Sequence, residues 1–186
     1  MKKKKIISIT GELASGKTVI AKLITEKLNY GIYKNGEYFR KLAKEHNMDV
    51  TSFNKYVEKH PEIDHAIEKS ATEYAKTHEE FVIDARLGWY AVPESFKVYL
   101  TVDIDEAAKR AFYDEKRKAT ESFETIEEQK QDLITRYNLE NERYFKLYNV
   151  KKQDLSNYDL VIDTTEGNPE KQAEKIIKEY KKWLEE

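Results

Sequence analysis

The run GELASGKT, from Gly11 to Thr18, combines residue types and a spacing that bind a polyphosphate. It fits the pattern G-x-x-x-x-G-K-[ST], in which backbone N–H groups at the start of a helix surround the phosphates. Bulky side chains there would block the anion. We therefore expect Lys17 to reach the β- and γ-phosphates and the Thr18 hydroxyl to take one position on Mg²⁺. The residues predicted to contact the phosphates are Gly11, Ala14, Ser15, Gly16, Lys17 and Thr18.

The alternative is a chance match, a strand–turn–helix whose glycines serve only the turn. An apolar run precedes the loop and helical spacing follows it, and these flanks favour the phosphate site. Glu12 brings a negative charge close to the phosphates, so we expect its side chain to point outward.

A second feature is the carboxylate of Asp84, at the end of the apolar run FVID. In an open α/β sheet, ligands bind at the C-terminal ends of the strands. Asp84 is therefore predicted to lie near Thr18 and to hold Mg²⁺, through a water. The alternative is an Asp that caps the turn after its strand.

Arginine is rare in this chain, since six of its 33 basic residues are Arg and the others are Lys. The planar guanidinium group of Arg can make two parallel hydrogen bonds to a phosphate, and the ammonium group of Lys cannot. We therefore expect each Arg to have a specific role. The six are Arg40, Arg86, Arg110, Arg117, Arg136 and Arg143.

Three charged residues share one face of a predicted helix: Arg136, Glu140 and Arg143 are spaced i, i+4 and i+7. Two guanidinium groups there would clamp a dianion. The alternative is surface pairing of Glu140 with either Arg, worth only about 0.3–0.5 kcal/mol per pair.

A donor site for a polyphosphate and a separate set of arginines for a second anion favour phosphoryl transfer between two phosphorylated molecules. This chemistry needs little covalent participation by the protein, because positioning and neutralisation of negative charge supply most of the rate. No nucleophilic side chain is required.

The elements that must position these residues are strands alternating with helices, which indicates a parallel α/β sheet. Four short apolar runs predict buried strands, and a fifth strand is expected at Tyr30–Lys34. The four are Ile6–Thr10, Phe81–Asp84, Phe96–Val102 and Tyr158–Asp163. A helical insertion at Gly36–His78 and a charged stretch at Asp114–Thr125 resemble mobile flaps, although a charged stretch is more often a solvated face.

The composition fits one domain of 186 residues. The net charge of −2 gives no global attraction to nucleic acid or to an anionic membrane. The lack of cysteine excludes a disulfide framework and a thiolate metal site, and no apolar stretch is long enough to span a membrane. A cytoplasmic protein is expected.

With these motifs the sequence resembles the P-loop nucleoside monophosphate kinases, most closely the compact type of cytidylate kinase. The resemblance runs nearly end to end. It is carried by ISITGELASGKT, NGEYFRKLAKEHNMD, FNKYVEKHPEID, VIDARLGW, the pair Arg136 and Arg143 followed by YFKLY, and DLSNYDLVIDT.

The resemblance implies a P-loop NTPase three-layer sandwich with a five-stranded parallel sheet of order 2-3-1-4-5. It implies one kinase domain over residues 1–186, with a helical monophosphate-binding flap at about 36–78 and a lid at about 110–125. The implied activity is ATP- and Mg²⁺-dependent phosphorylation of a nucleoside monophosphate, CMP or dCMP first, giving CDP or dCDP.

The resemblance also implies the roles of individual residues. Lys17 and Arg110 would act on the donor side, and Asp64 would help the flap to recognise cytosine, unless it is a simple helix cap after Pro61. The residues implied for transfer are Lys17, Arg110, Arg136 and Arg143. Those implied for the acceptor are Gly36, Arg40, Asp64, Arg86, Arg136, Glu140 and Arg143.

This chain departs from the family pattern at several positions. Asn35 stands where the family commonly has Ser. The family run EGRLAGW appears here as DARLGW, which is one residue shorter and has Asp84 and Ala85 in place of Glu and Gly. Asp114 and Ser70 replace two family arginines. One alternative is therefore a small-molecule kinase with another acceptor, such as AMP, shikimate or dephospho-coenzyme A.

A second alternative is a nucleotide-binding regulator that has lost the transfer chemistry. Retention of Arg40, Arg86, Arg136 and Arg143 argues against a regulator, because a switch needs no second arginine cluster. We expect a monomer or weak dimer with no nucleic-acid or membrane partner.

Overall fold

The computed structural model of the protein describes residues 3–48, 50–115 and 123–186. Its centre is a five-stranded, all-parallel sheet in the order β2-β3-β1-β4-β5. The strands are β1 Ile6–Gly11, β2 Gly31–Lys34, β3 Phe81–Asp84, β4 Phe96–Thr101 and β5 Leu160–Asp163. The strand order implied by the family resemblance is therefore confirmed.

The five predicted strands are present, with small changes at their ends. β4 ends one residue before the predicted Val102, because the Val102 N–H donates to a side chain rather than to a neighbouring strand. β5 begins at Leu160, two residues later than expected, since Tyr158 still closes a 3₁₀ turn at Leu155–Asn157.

Eight helices in the described part of the chain surround the sheet. They are α1 Lys17–Leu28, α2 Asn35–Glu45, α3 Val50–Val57, α4 Pro61–Thr77, α5 Gly88–Ala91, α6 Ile104–Tyr113, α7 Ile126–Tyr148 and α8 Pro169–Glu185. α7 starts with a capping box, in which the Thr125 hydroxyl and the Glu128 carboxylate satisfy each other's backbone N–H groups.

The central strand β1 is buried along its whole length, as a strand covered on both faces should be. On one face, Ile7, Ile9 and Val98 pack with α1 and α8 through Ile20 and Ile176. Because β1 is packed on both faces, its position in the sheet is fixed. The glycine-rich loop that follows β1 is therefore also fixed relative to the ends of the other strands.

Helices α2, α3 and α4 form the insertion between β2 and β3, and they have a small core of their own around Phe53, Val57, Ile63 and Ile67. Helical structure therefore occurs where the flap was predicted, while its function remains a prediction. Part of the predicted lid at 110–125, including Arg117, lies outside the described residues. In the residues that are described, no helix is long and apolar enough to cross a membrane.

Candidate phosphoryl-transfer site

The loop between β1 and α1 has the geometry of an anion cradle. Ala14 and Gly16 both have left-handed backbones, with φ of 61° and 80°. A Cβ at Gly11 would lie 2.7 Å from the Leu100 carbonyl oxygen, so only glycine fits there. The loop therefore turns sharply enough to direct the start of α1 at a ligand.

The start of α1 has the properties of an anion-binding helix end. Its N-cap, Gly16, gives no side-chain hydrogen bond, and the first turn holds no acidic residue. The Ser15 hydroxyl is buried without a hydrogen-bond partner in the described chain. A buried polar atom left in this way fits a loop that awaits oxygen acceptors, such as phosphate.

Lys17, Thr18 and Asp84 meet at the mouth of this loop. The Thr18 hydroxyl donates to Asp84 Oδ2 over 2.7 Å, and Lys17 Nζ lies 3.6 Å from Asp84 Oδ1. Burial lowers the pKa of Lys17, and the neighbouring Asp84 opposes that change. The structure thus brings the predicted phosphate ligand and the two predicted metal ligands together.

These two oxygen ligands suit Mg²⁺. The described residues contain no group of three or more His, Cys, Asp or Glu side chains able to hold a metal. Mg²⁺ commonly uses one or two protein oxygens and completes its octahedron with waters and substrate phosphates. Thr18 and Asp84 fit that pattern, and the interpretation of Asp84 as a mere turn cap loses support because its carboxylate contacts the loop.

Behind Lys17 lies an ionic network that joins three parts of the chain. Arg86 Nε, just after β3, contacts Glu140 Oε2 on α7 at 2.9 Å. The other oxygen of Glu140 accepts from Lys152 Nζ, whose side chain is fully buried. The Lys152 ammonium also lies 5.0 Å from the centre of the Tyr137 ring. Glu140 therefore pairs with Arg86 and Lys152, not with the arginines of its own helix.

The charges in this network stabilise one another. Burial alone would raise the pKa of Glu140, but Arg86 and Lys152 together hold it below its ordinary value. Glu140 raises the pKa of Arg86 above its ordinary value, although burial acts to lower it. Burial lowers the pKa of Lys152, with Glu140 opposing. The guanidinium group of Arg86 is thus held in place by a carboxylate that is itself fixed from behind.

Arg143 connects α7 to the helical insertion. Its Nε lies 3.6 Å from Asp64 Oδ2, and Asp64 is buried. α4 begins at Pro61 with His60 as its N-cap, so Asp64 is not the cap of this helix. The predicted acceptor residues Arg143 and Asp64 therefore meet.

The other predicted arginines, Arg40, Arg136 and Arg110, lie on α2, α7 and α6, and the last two have ion-pair partners of their own. Arg40 is exposed on α2, where its Nη1 would be 3.5 Å from a Cβ at Gly36. Arg136 pairs with Asp132 one turn earlier on α7, at 3.5 Å. Arg110 pairs with Glu106 and donates to the carbonyl oxygens of the loop after β5, at Thr164 and Thr165. The ion pairs of Arg110 with Glu106 and of Arg136 with Asp132 include no member of the group formed by Lys17, Thr18 and Asp84.

The expectation that Glu12 points outward is wrong. Its side chain is half-buried and turns back along the sheet, where Oε2 accepts from the Val102 N–H at 2.7 Å. Burial raises the pKa of Glu12, and the hydrogen bond from Val102 limits that rise. Glu12 therefore joins the phosphate loop to the end of β4.

Three features of the site were missed from the sequence or read differently. Lys152 lies in a Lys-rich turn, where nothing in the pattern separates it from solvated lysines. Glu68 follows Asp64 by one helical turn, beside the apolar Ile67 and Ala71, and that spacing could have placed it on the buried face. Ser70, at a position where the family resemblance implies an arginine, accepts a hydrogen bond from the Tyr33 hydroxyl.

The sheet order and the glycine-rich loop define the class of fold, that of the P-loop kinases. The model of the cytidylate kinase-like family matches residues 6–166. The chain therefore belongs to that family and is a nucleoside monophosphate kinase, as the sequence predicted.

Curated relatives cover most of the chain. The cytidylate kinase of Methanocaldococcus jannaschii is 37% identical over 89% of this chain and 91% of its own length. The cytidylate kinase of Pyrococcus horikoshii is 35% identical over 91% of this chain and 84% of its own length. The cytidylate kinase of Thermoplasma volcanium is 31% identical over 92% of this chain and 88% of its own length.

Solved structures agree on the fold. The shikimate kinase from Bacteroides thetaiotaomicron superposes with a TM-score of 0.67 at 16% identity, covering 97% of this chain and 98% of its own. An uncharacterized protein from Eubacterium ventriosum also gives a TM-score of 0.67, at 20% identity, covering 95% and 98%. At such identities the likeness concerns the fold alone.

Proposed function

We propose that the protein transfers the γ-phosphoryl group of ATP to CMP or dCMP, giving ADP and CDP or dCDP. The observation that carries this proposal is a series of three ion pairs, joined by short stretches of the chain, that leads from the phosphate loop to the helical insertion. It runs from Lys17 to Asp84, continues from Arg86 to Glu140, and passes along α7 from Glu140 to Arg143 and Asp64. The site that binds the donor phosphates and the site that binds the acceptor phosphate would therefore lie next to each other.

The residues have distinct roles in this proposal. The loop amides and Lys17 bind the donor phosphates, while Arg86 and Arg143, with Arg40 and Arg136, receive the acceptor phosphate and the transferring group. An acceptor phosphate oxygen attacks Pγ as the bond from Pγ to the ADP oxygen breaks, and the charge spreads over the equatorial oxygens of the transferring group. Fixed guanidinium groups stabilise that charge without reorganising.

Mg²⁺, when bound, would neutralise phosphate charge and orient the donor, and Thr18 and Asp84 would hold it. Arg110 is proposed to act on the donor side, next to the loop after β5. Glu140 contributes to the acceptor site by holding Arg86. The cytoplasmic location, the monomeric or weakly dimeric state, the flap and the lid remain predictions.

The acceptor is tested by coupled measurement of ADP release from ATP with CMP, dCMP, UMP, AMP, shikimate and dephospho-coenzyme A. We expect the highest kcat/KM with CMP or dCMP, because the curated relatives carry the name cytidylate kinase. Turnover with a different acceptor alone would move the function to that acceptor. ATP binding without any acceptor-dependent turnover would indicate a regulator.

Changing Arg143 to Lys is expected to lower turnover about 10- to 100-fold although the charge is kept. The two-pronged contact with phosphate is lost, and a hydrogen bond to a charged group is worth about 1.5–3 kcal/mol. The measurement is kcat with saturating ATP and CMP. Lys146→Arg, on the exposed side of the same helix, is the control and should not change kcat. Unchanged turnover in Arg143→Lys would reduce Arg143 to a partner of Asp64.

A further inference from the structure

Three polar side chains are buried together where α4 meets the start of α2. Asn35, Asp64 and Glu68 are 8%, 6% and 8% exposed. Asp64 and Glu68 stand one turn apart on α4, so they share a face. Asn35 Nδ2 donates to Glu68 Oε1 at 3.4 Å, and Arg143 approaches Asp64 from α7. We call this group the Glu68 cluster.

The Glu68 cluster has more hydrogen-bonding capacity than its members use. Within the described chain, three buried atoms of this region make neither a hydrogen bond nor an ion pair, and these are Asn35 Oδ1, Glu68 Oε2 and the nearby Tyr148 hydroxyl, whereas Asp64 Oδ2 and Arg143 Nε face each other at 3.6 Å. Each such atom costs about 1–3 kcal/mol when it stays unsatisfied. Their concentration at one place indicates an external group that offers both donors and acceptors.

The protonation state of Glu68 determines whether its carboxyl group can donate a hydrogen bond to a ligand. Burial, with repulsion from Asp64, raises the pKa of Glu68 to about 8, and Arg143 opposes the rise. Burial, together with Glu68, raises the pKa values of the surrounding Tyr33 on β2 and Tyr144 and Tyr148 on α7, so these groups stay neutral. Burial also raises the pKa of Asp64, and Arg143 opposes that rise. At pH 7 Glu68 therefore carries a proton. Because Oε1 accepts from Asn35, the proton belongs on Oε2, which becomes a donor.

We propose that Glu68 determines base specificity by donating its carboxylic proton to the N3 acceptor of cytosine, while Asp64 and Asn35 accept from the adjacent 4-amino group. This inference rests on the proposed function. Uracil presents an N3–H donor and an O4 acceptor at the same edge. Its N–H would meet the Glu68 donor, and its carbonyl would face the Asp64 carboxylate. A site with buried polar groups rejects such a mismatched analogue strongly, because those groups are left unpaired.

The test is the pH dependence of kcat/KM, which reports the free enzyme. In the wild type, kcat/KM for CMP should fall about tenfold between pH 7 and pH 9, as Glu68 loses the proton that it donates. Glu68→Gln keeps an N–H donor at every pH, so its profile should lose this fall. Glu68→Leu removes the donor, and we expect KM for CMP to rise about 10- to 100-fold with a smaller change in kcat. Glu73→Gln, exposed on the same helix, should behave as wild type.

A second probe is 3-deaza-CMP, which keeps the amino group but lacks the N3 acceptor. Its kcat/KM should be about 10- to 100-fold below that of CMP and should not show the fall between pH 7 and pH 9. Identical pH profiles for wild type and Glu68→Gln with CMP, or equal use of CMP and 3-deaza-CMP, would overturn the role of Glu68. A wild type that does not phosphorylate CMP at all would instead overturn the proposed function.

Discussion

Replacing Lys17 by alanine is expected to lower kcat for phosphoryl transfer by at least about 10³-fold. Lys17 is the cation that the loop directs at the donor phosphates, and its side chain is only 15% exposed. Removal of one preorganised charge-stabilising donor commonly costs about 10²–10³ in kcat, and this residue combines that role with a full charge. The measurement is steady-state turnover with ATP and CMP.

The same substitution should leave the fold nearly as stable. Burial lowers the pKa of Lys17, so the folded protein holds this charge at a cost, and Asp84 keeps the hydrogen bond from Thr18 when Lys17 is gone. Lys22→Ala, on the exposed face of α1, is the matched control and should retain full activity. Retention of a tenth or more of the activity by Lys17→Ala would show that the loop does not serve the reaction.

Replacing Glu140 by glutamine is expected to lower the free energy of unfolding by about 3–5 kcal/mol. The change leaves Arg86 and Lys152 facing a neutral amide, and an uncompensated buried charge is costly. For a chain of this size the loss corresponds to a fall in Tm of about 10 °C. The measurement is thermal unfolding followed by circular dichroism. Transfer should also slow, because Arg86 loses the group that positions it.

Two further variants separate this effect from a general sensitivity of α7. Glu142→Gln, on the exposed side of the helix, should melt as wild type. Adding Lys152→Met to Glu140→Gln should recover part of the lost stability, because one of the two unpaired cations is removed and the apolar volume stays similar. A Glu140→Gln protein that melts together with the Glu142→Gln control would contradict the network.

The sheet could be predicted because its signals are local. Each strand is a short apolar run, and burial of β1 on both faces makes such a run continuous rather than alternating. The loop was equally accessible, since its glycines and Lys17 are adjacent in sequence. The strand order came from the family resemblance, because spacing along the chain does not state which strands pair.

The ionic network was beyond the sequence because its contacts join distant segments. Arg86, Glu140 and Lys152 come from the end of β3, from α7 and from the turn after it. The rarity of Arg singled out Arg86, but nothing local distinguishes Lys152 from its neighbour Lys151. Glu12 was misjudged for a related reason, since its partner Val102 follows a strand 90 residues later.

The central claim is that a donor site and an acceptor site face each other, and calorimetric titration with a bisubstrate ligand tests it directly. The ligand is adenosine joined 5′ to 5′ with cytidine through five phosphates, compared with ATP alone. Occupation of both sites at once predicts binding at least about 100-fold tighter than ATP, and Arg143→Lys should reduce that advantage. An affinity equal to that of ATP, unchanged in the Arg143 variant, would contradict the two-site account.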